Sequence, residues 1–218
     1  MNLLVSMAMV VLIGAVAPAF GGDKATLRFL AERAPDDFGD VVLVTTGNEG
    51  ESFSLPVEKL SESFTVPTRV ISLLSKRDER KLAGITLPAN GDSFVVLLIP
   101  EPKGTLKSLV VDVSGHSFRS GDVFLCNSTE LPVAGHLGTT DFVVEPGEGK
   151  PLRPGINPED ISYNVVIHSR EEAGDRVIRT LRWPVQMRSR SYCFVFRNQA
   201  GNRIEIRAVD EFVKPEKN

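Results

Sequence analysis

Short apolar runs, each closed by proline, glycine, asparagine or serine, follow one another along nearly the whole of this 218-residue chain. Runs of this kind that recur roughly every ten residues indicate short strands joined by tight turns. No segment after residue 20 shows the apolar stripe that a helix of three turns would need. We therefore predict an all-β protein, built as two packed β-sandwich lobes with no substantial helix after the N-terminal segment.

The most apolar run after residue 20 is DSFVVLLI, at residues 92–99. It lies between Asn90-Gly91 and Pro100-Glu101-Pro102, and an apolar run of strand length between turn signals predicts a buried central strand. The turn-rich residues 100–104 then form the predicted boundary between two lobes. The N-terminal lobe spans residues 23–102 and the C-terminal β-sandwich lobe spans residues 103–213, followed by a tail at 214–218.

The C-terminal half contains one segment that no helix or central strand tolerates. Residues 145–158 hold four prolines and three glycines. Proline cannot donate a hydrogen bond to a strand ladder, and glycine weakens both regular structures. The sequence therefore predicts a long surface loop over these residues.

The first twenty residues carry no charged side chain and end an apolar run with Ala17-Pro18-Ala19. Small residues at the first and third positions before the cleavage point are typical of a secretory signal peptide, here residues 1–19 with cleavage after Ala19. The alternative is an uncleaved signal anchor, because the apolar run is almost long enough to span a bilayer and no Lys or Arg precedes it. We expect an exported protein, periplasmic or extracellular, with no membrane span after signal cleavage.

Two cysteines, Cys126 and Cys193, remain after signal removal. An exported protein with two cysteines is predicted to join them in one disulfide. The alternative is a pair of separately buried thiols, which is common at strand centres.

Charge is distributed unevenly in the C-terminal half. Residues 176–207 contain eight arginines and one acid, Glu205, whereas residues 128–163 contain six acids and two basic residues. Arginine suits bidentate recognition of carboxylate or phosphate. One interpretation is an anion-facing surface for an envelope polymer or an acidic partner, with ligand contacts predicted at Arg176, Arg179, Arg182, Arg188 and Arg190. The other is that these strands pair with the acidic segment inside the same lobe. The net charge of −3 gives no overall attraction to nucleic acid, and we expect no nucleic-acid partner.

The residues that could carry catalysis or bind a metal are scattered. Asp112 and His116 share one strand end, but a metal site needs three or four ligands, so we expect neither a metal nor another cofactor. No Gly-x-Ser-x-Gly nucleophile motif and no glycine-rich phosphate loop occurs in the sequence. We assign no catalytic residue. The groups available to a hydrolase would be the carboxylates and histidines of the central loops: Asp112, Asp122, Asp141, Glu145, His116 and His136.

Three segments of the second lobe carry a family resemblance: GDVFLCN at 121–127, PVAGHLG at 132–138 and VEPGE at 144–148. This lobe resembles a loose group of uncharacterised exported bacterial β-sandwich proteins of the immunoglobulin-like kind. The resemblance covers about a third of the chain and consists of turn chemistry. It implies an immunoglobulin-like fold for this lobe and transfers no active site. For the whole chain we predict two packed immunoglobulin-like lobes.

Three functional hypotheses follow from the sequence. The first is an exported, non-catalytic binding or structural module of the bacterial cell envelope that contacts an anionic polymer or a protein partner. The second is a secreted hydrolase of a polymer that uses carboxylate and histidine residues of the central loops. The third is a module that binds a partner through an exposed strand edge, which requires a long unpaired edge in the structure.

Overall fold

A computed structural model describes residues 24–34, 38–46, 48–115, 117–198 and 203–213. Over these residues the chain forms sixteen β-strands and no helix, which confirms the predicted all-β class. No helix within these ranges could therefore cross a membrane. The predicted signal peptide at 1–19, His116 and the tail at 214–218 lie outside the described residues.

The first eight strands form two four-stranded sheets. Their bounds are β1 (Ala25–Ala31), β2 (Asp40–Thr45), β3 (Asn48–Ser54), β4 (Phe64–Val66), β5 (Val70–Ser75), β6 (Lys81–Thr86), β7 (Ser93–Pro100) and β8 (Leu106–Asp112). The outer N-terminal sheet has the order β3-β2-β5-β6, and the inner N-terminal sheet has the order β4-β1-β7-β8. We call this pair of sheets the N-terminal sandwich.

The last eight strands form two further sheets. Their bounds are β9 (Val123–Asn127), β10 (Val133–Leu137), β11 (Thr140–Val144), β12 (Gly149–Leu152), β13 (Ser162–Glu171), β14 (Gly174–Pro184), β15 (Ser189–Asn198) and β16 (Arg203–Phe212). The inner C-terminal sheet has the order β12-β9-β15-β16, and the outer C-terminal sheet has the order β11-β10-β13-β14. This pair is the C-terminal sandwich.

The two sandwiches share one topology. Adding eight to each strand number of the inner N-terminal sheet gives the order of the inner C-terminal sheet, and the same holds for the outer sheets. The one parallel pair of each sandwich is also equivalent, since β1 runs parallel to β7 and β9 runs parallel to β15. The described chain is therefore a structural duplication, which the sequence does not reveal by visible repeats.

Three apolar clusters arrange the four sheets in layers. One fills the N-terminal sandwich and includes Phe29 and Leu73, and one fills the C-terminal sandwich and includes Leu125 and Ile167. The third joins side chains of the two inner sheets, such as Leu97 and Phe194. The inner sheets are therefore covered on both faces, and the layer order is outer, inner, inner, outer.

The sequence of β7 is apolar throughout because both faces of the strand are buried. Alternate side chains of a strand point to opposite faces. Phe94, Val96 and Leu98 pack inside the N-terminal sandwich, whereas Val95 and Leu97 pack against the inner C-terminal sheet. Both faces are buried, so the alternation of polar residues is absent and the predicted central strand is confirmed.

Two segments are organised differently from the sequence-based expectation. Residues 100–104, the predicted boundary, form the turn of the β7–β8 hairpin, and β8 pairs along β7 in the same sheet. The chain therefore passes between the sandwiches after Asp112 and before Val123. The predicted loop 145–158 contains β12, an edge strand in which Pro151 lies opposite Phe124. A proline is tolerated there because one edge of the strand needs no donor.

The predicted disulfide is wrong. Cys126 and Cys193 are both free thiols and both fully buried. They lie on the adjacent parallel strands β9 and β15, but Cys126 is level with Phe194, the residue after Cys193. Cys126 therefore packs into the cluster between the inner sheets, and Cys193 packs into the core of the C-terminal sandwich. Side chains on opposite faces of one sheet cannot be bonded without breaking the ladder.

Candidate functional site: an arginine-lined groove of the C-terminal sandwich

The β13–β14 hairpin is the largest local difference between the two sandwiches. β13 has 10 residues and β14 has 11, whereas the equivalent strands β5 and β6 have 6 each. β14 is an edge strand and has no fully buried residue. This hairpin extends beyond what the same topology needs in the N-terminal sandwich.

A β-bulge in this hairpin sets the direction of its arginines. Val177 lies opposite His168 and Arg179 opposite Ile167, so Ile178 is the extra residue. Directly opposite residues share a face. Arg179 therefore lies on the inward face with the buried Ile167, and Arg176 lies there opposite the buried Ser169. Strict alternation predicts Val177 on the inward face too, but the bulge turns it outward, where it is 61% exposed.

Arg176 and Arg179 line a groove where the two sheets of the C-terminal sandwich separate. The groove has a volume of about 310 Å³ and lies between β14 and the adjacent ends of β15 and β16. Two further arginines, Arg197 and Arg203, reach it from the inner sheet. The remaining lining residues are Ser169, Glu171, Val177, Ile178 and Ile204.

Positive charge exceeds negative charge in this groove. Among the described residues, four arginines line it with a single acid, Glu171. The Glu171 carboxylate accepts a hydrogen bond from Ser169 at 3.0 Å and lies 4.0 Å from Arg176. Arg197 donates to Glu130 at 3.1 Å, and Glu130 is largely exposed.

Arg179 and Arg203 are exposed, and neither forms an ion pair with a described residue. Glu130, in the acidic segment 128–163, does pair with Arg197. The acidic segment therefore supplies an ion-pair partner for Arg197. Arg179 and Arg203 have no described acidic partner.

The equivalent opening of the N-terminal sandwich is closed. β6 lies close along β8, and the Ser108 hydroxyl donates to the Gly84 carbonyl at 3.0 Å. The equivalent strands β14 and β16 approach each other much less. The groove is therefore a property of the second copy of the fold and not of the topology itself.

The other predicted ligand residues lie elsewhere. Arg182 is on the outer face of β14, where its Nε donates to Ser162 Oγ at 2.7 Å. Arg188 is exposed in the turn after β14, at the opposite end of the hairpin from Arg176. Of the five predicted arginines, the structure brings Arg176 and Arg179 together and places the remaining three away from them.

Arg190 forms a buried ion pair with Glu211, so its guanidinium group is not available for the predicted ligand contact. It is 6% exposed, donates from Nε to Glu211 at 2.7 Å and from Nη2 at 3.1 Å, and its Nη1 donates to the Phe118 carbonyl at 3.1 Å. Tyr192 also donates to Glu211, at 2.7 Å, and Arg28 of the inner N-terminal sheet reaches the same carboxylate. This polar cluster fastens the two sandwiches together at one edge of their apolar interface.

The junction between the two sandwiches shifts the pKa values of Glu211 and Glu32 in opposite directions. Burial acts to raise the pKa of Glu211, but hydrogen bonds from Arg190, Tyr192 and Arg28 outweigh it and lower the pKa below its ordinary value. Burial raises the pKa of Glu32, although Ser128 across the junction donates to it. Arg207 closes the same side by donating to the Val57 and Ala31 carbonyls at 2.6 and 2.7 Å.

Of the groups available to a hydrolase, the structure brings His136 and Asp141 together on paired strands and places Asp112, Asp122 and Glu145 elsewhere. Asp122 is buried and accepts from Arg153 at 2.6 Å, and Asp112 accepts from the Ser114 backbone at 2.9 Å. Asp141 lies opposite His136 on the outer C-terminal sheet, and Glu145 is in the turn after β11. The described residues contain no group of three or more histidine, cysteine or carboxylate side chains that could hold a metal ion.

Arg197 and Arg203 are the groove residues that sequence reasoning did not assign. They belong to the same arginine-rich stretch, but their position depends on the pairing of β15 with β16 and on the separation of β16 from β14. The arginine-rich composition identifies the stretch. Which of its arginines line the groove depends on contacts between strands that are distant along the chain.

Comparison with known proteins gives no assignment for this groove. No family model matches the chain, and no curated protein shows significant similarity to it.

Proposed function

We propose that the protein is an exported, non-catalytic binding or structural module of the bacterial cell envelope that holds an anionic partner in the arginine-lined groove. The observation that carries the proposal is the pair Arg179 and Arg203, exposed beside the groove without a described acidic partner. Guanidinium groups bind carboxylate, sulfate and phosphate oxygens with two parallel hydrogen bonds.

The duplicated fold supports this proposal through its internal contrast. A groove required by the topology would be present in both sandwiches, but β6 and β8 close the equivalent opening. Arg176, Arg179 and Arg203 are exposed at the C-terminal groove, so their attraction to a ligand is screened by salt over distances of about 10 Å at 0.1 M ionic strength. Binding is therefore expected to weaken as salt is added.

The test is binding of the purified protein to dextran sulfate, with unmodified dextran as the neutral control. We expect salt-dependent binding to dextran sulfate and none to dextran. The double variant Arg179→Glu/Arg203→Glu should weaken it by at least about tenfold, because charged hydrogen bonds are lost and like charges are introduced.

The matched control is Arg77→Glu/Lys81→Glu, at the exposed turn and start of the equivalent β5–β6 hairpin. It changes the net charge equally, so it should leave affinity within about twofold if the groove is the site. Equal losses in the two double variants, or no binding by the unmodified protein, would reject the proposal.

A further inference from the structure

We infer that the partner held at the groove is an acidic, extended segment of polypeptide that joins β14 as an added strand of the outer C-terminal sheet. This inference rests on the proposed function and names the class of its partner. It starts from the free edge of β14, which is the longest strand of the described chain. β14 pairs with β13 on one side and with no described strand on the other.

The outward-facing backbone groups of β14 can be identified from one hydrogen bond. Val185 N donates to Ile161 O at 2.9 Å, just beyond the paired ends of β13 and β14. In an antiparallel pair, residues that bond across alternate with residues that do not. Trp183 and Leu181 therefore bond toward β13, while the N–H and C=O groups of Arg182 and Thr180 point to the free edge.

Pro184 fits the same alternation. It follows Trp183 and so also faces outward, where its missing N–H removes no bond to β13. It ends the row of free donors at one end of β14, and the row runs from there toward the bulge at Ile178. The usable edge thus leads directly to Arg179 and Arg176, at the mouth of the groove.

Backbone and charge together favour a peptide over a polysaccharide. An added strand satisfies the edge N–H and C=O groups at regular spacing, which is the basis of peptide binding by strand addition. Its alternate side chains would then face Arg176 and Arg179, so acidic residues at those positions are complementary. A sulfated or carboxylated polysaccharide offers the charge but no matching row of donors and acceptors.

The equivalent edge of the N-terminal sandwich, that of β6, is less open. β6 is short, and β8 of the inner sheet lies along it with Ser108 bonded to Gly84. Arginines on an exposed edge can also serve only to repel other strands. That alternative predicts no peptide binding, so the experiment separates the two roles.

The probe is a peptide of alternating glutamate and valine, as long as β14, with two derivatives of equal charge. One derivative is N-methylated at every glutamate and the other at every valine, so each loses the donors along one edge only. We expect the unmodified peptide to bind. In an antiparallel added strand the residues that bond to Thr180 and Arg182 share their outer face, so the valines supply the donors that face β14. We therefore expect the derivative methylated at valine to bind at least about tenfold more weakly than the one methylated at glutamate.

Each outcome of these binding measurements either supports or overturns strand addition. Equal affinity of the two derivatives and the parent would mean recognition of charge alone and would overturn strand addition. Binding of dextran sulfate without binding of the peptide would also overturn it, while leaving the anion-binding function in place. Binding of neither probe would remove both proposals.

A protein variant tests the same edge from the other side. Thr180→Pro removes one outward donor and no bond to β13, with Thr180→Ala as its control. It should weaken the peptide by about tenfold or less, the loss expected for one hydrogen bond, and leave dextran sulfate binding unchanged. Unchanged peptide affinity in a folded Thr180→Pro protein would contradict the inference, and the N-methylated peptides decide it if that variant does not fold.

Discussion

The two sandwiches have the same strand order and the same parallel pair, yet they differ at one hairpin. In the N-terminal copy, β5 and β6 are short and β6 lies close to β8. In the C-terminal copy, β13 and β14 are nearly twice as long, β14 stands apart from β16, and arginines line the space between them. The short copy folds with the same topology, so the added length and charge of the long copy are not needed for the fold.

The two sandwiches are packed against each other at a shared junction, so they are not two separate domains. The inner sheets share an apolar cluster, and the chain ends its last strand beside Arg28 of the first strand. The C-terminal sandwich, which carries the groove, therefore packs against the N-terminal sandwich in one four-layer structure. The largest effect is expected at that junction, and smaller ones at individual positions within it and in each sandwich.

The largest expected effect is on the ion cluster at Glu211. Glu211→Gln leaves Arg190 and Arg28 without their carboxylate, and Arg190 is buried. Breaking one partner of a buried ion pair costs about 3–5 kcal/mol of the free energy of unfolding. Denaturant unfolding measures the loss, and Glu205→Gln on the same strand is the control, with an expected loss under about 1 kcal/mol. Equal losses at both positions would mean that Glu211 does not fasten the junction.

A smaller effect is expected at glycines, because the space available for an added Cβ differs between positions. A Cβ on Gly135 of β10 would lie 1.8 Å from the Val166 carbonyl oxygen, whereas one on Gly84 of β6 would meet only the end of the Lys81 side chain, at 3.4 Å. Gly135→Ala should therefore cost about 2–3 kcal/mol, since the backbone must move. Gly84→Ala should be neutral or slightly stabilising. Thermal unfolding of the two variants compares them directly, and equal stability would contradict the close pairing of β10 with β13.

The two junction carboxylates should give pH dependences of opposite sign. The pKa of Glu211 is lowered from 4.5 in the folded protein, so its stabilisation is full above pH 4.5 and is lost as the pH falls through the folded value. The pKa of Glu32 is raised from 4.5, so its ionisation destabilises the fold increasingly as the pH rises from 4.5 through the folded value. Linkage between protonation and folding converts each pKa shift into stability.

Unfolding free energies measured against pH for Glu32→Gln and Glu211→Gln test these signs. Glu32→Gln should become more stable than the unmodified protein as the pH rises above 4.5, because Gln carries no charge to bury. The deficit of Glu211→Gln should shrink as the pH falls below 4.5. Parallel curves for the two variants would show that the junction does not distinguish the two carboxylates.

The smallest expected effect is at the cysteines, where the native protein should show no reaction. Burial raises the pKa of Cys126 and raises the pKa of Cys193 to about 12, so neither is a thiolate at neutral pH. Alkylation followed by mass spectrometry should find no modified cysteine in the native protein and both modified in denaturant without reductant. Two protected thiols that react only after reduction would restore the disulfide.

The sequence predicts features that depend on local periodicity. The run at residues 92–99 is apolar on both faces and is found as the doubly covered strand β7. The alternation of Tyr192 and Phe194 likewise predicts one buried face, and both pack between the inner sheets. Such patterns report burial because successive side chains of a strand must point to opposite faces.

Features that depend on register across the sheets could not be predicted in this way. The level of Cys126 against Phe194 separates the cysteines, and the bulge at Ile178 turns Arg176 and Arg179 into the groove. The duplication is also hidden, because β7 and its equivalent β15 fill the same place with different side chains, SFVVLLIP and SRSYCFVFRN. A fold position constrains burial and leaves residue identity open, so equal topology need not leave a sequence repeat.

The most direct test of the account is to map anion binding on the two copies at once. Backbone amide NMR signals of the labelled protein would be followed during titration with dextran sulfate at low salt. We predict shifts concentrated at β14, from Arg176 to Arg179, and at Arg203 and Ile204, with the β5–β6 hairpin unchanged and the shifts reversed by added salt. Shifts of equal size in the β5–β6 hairpin, or none in either hairpin, would contradict the claim that the second copy of the fold carries the binding site.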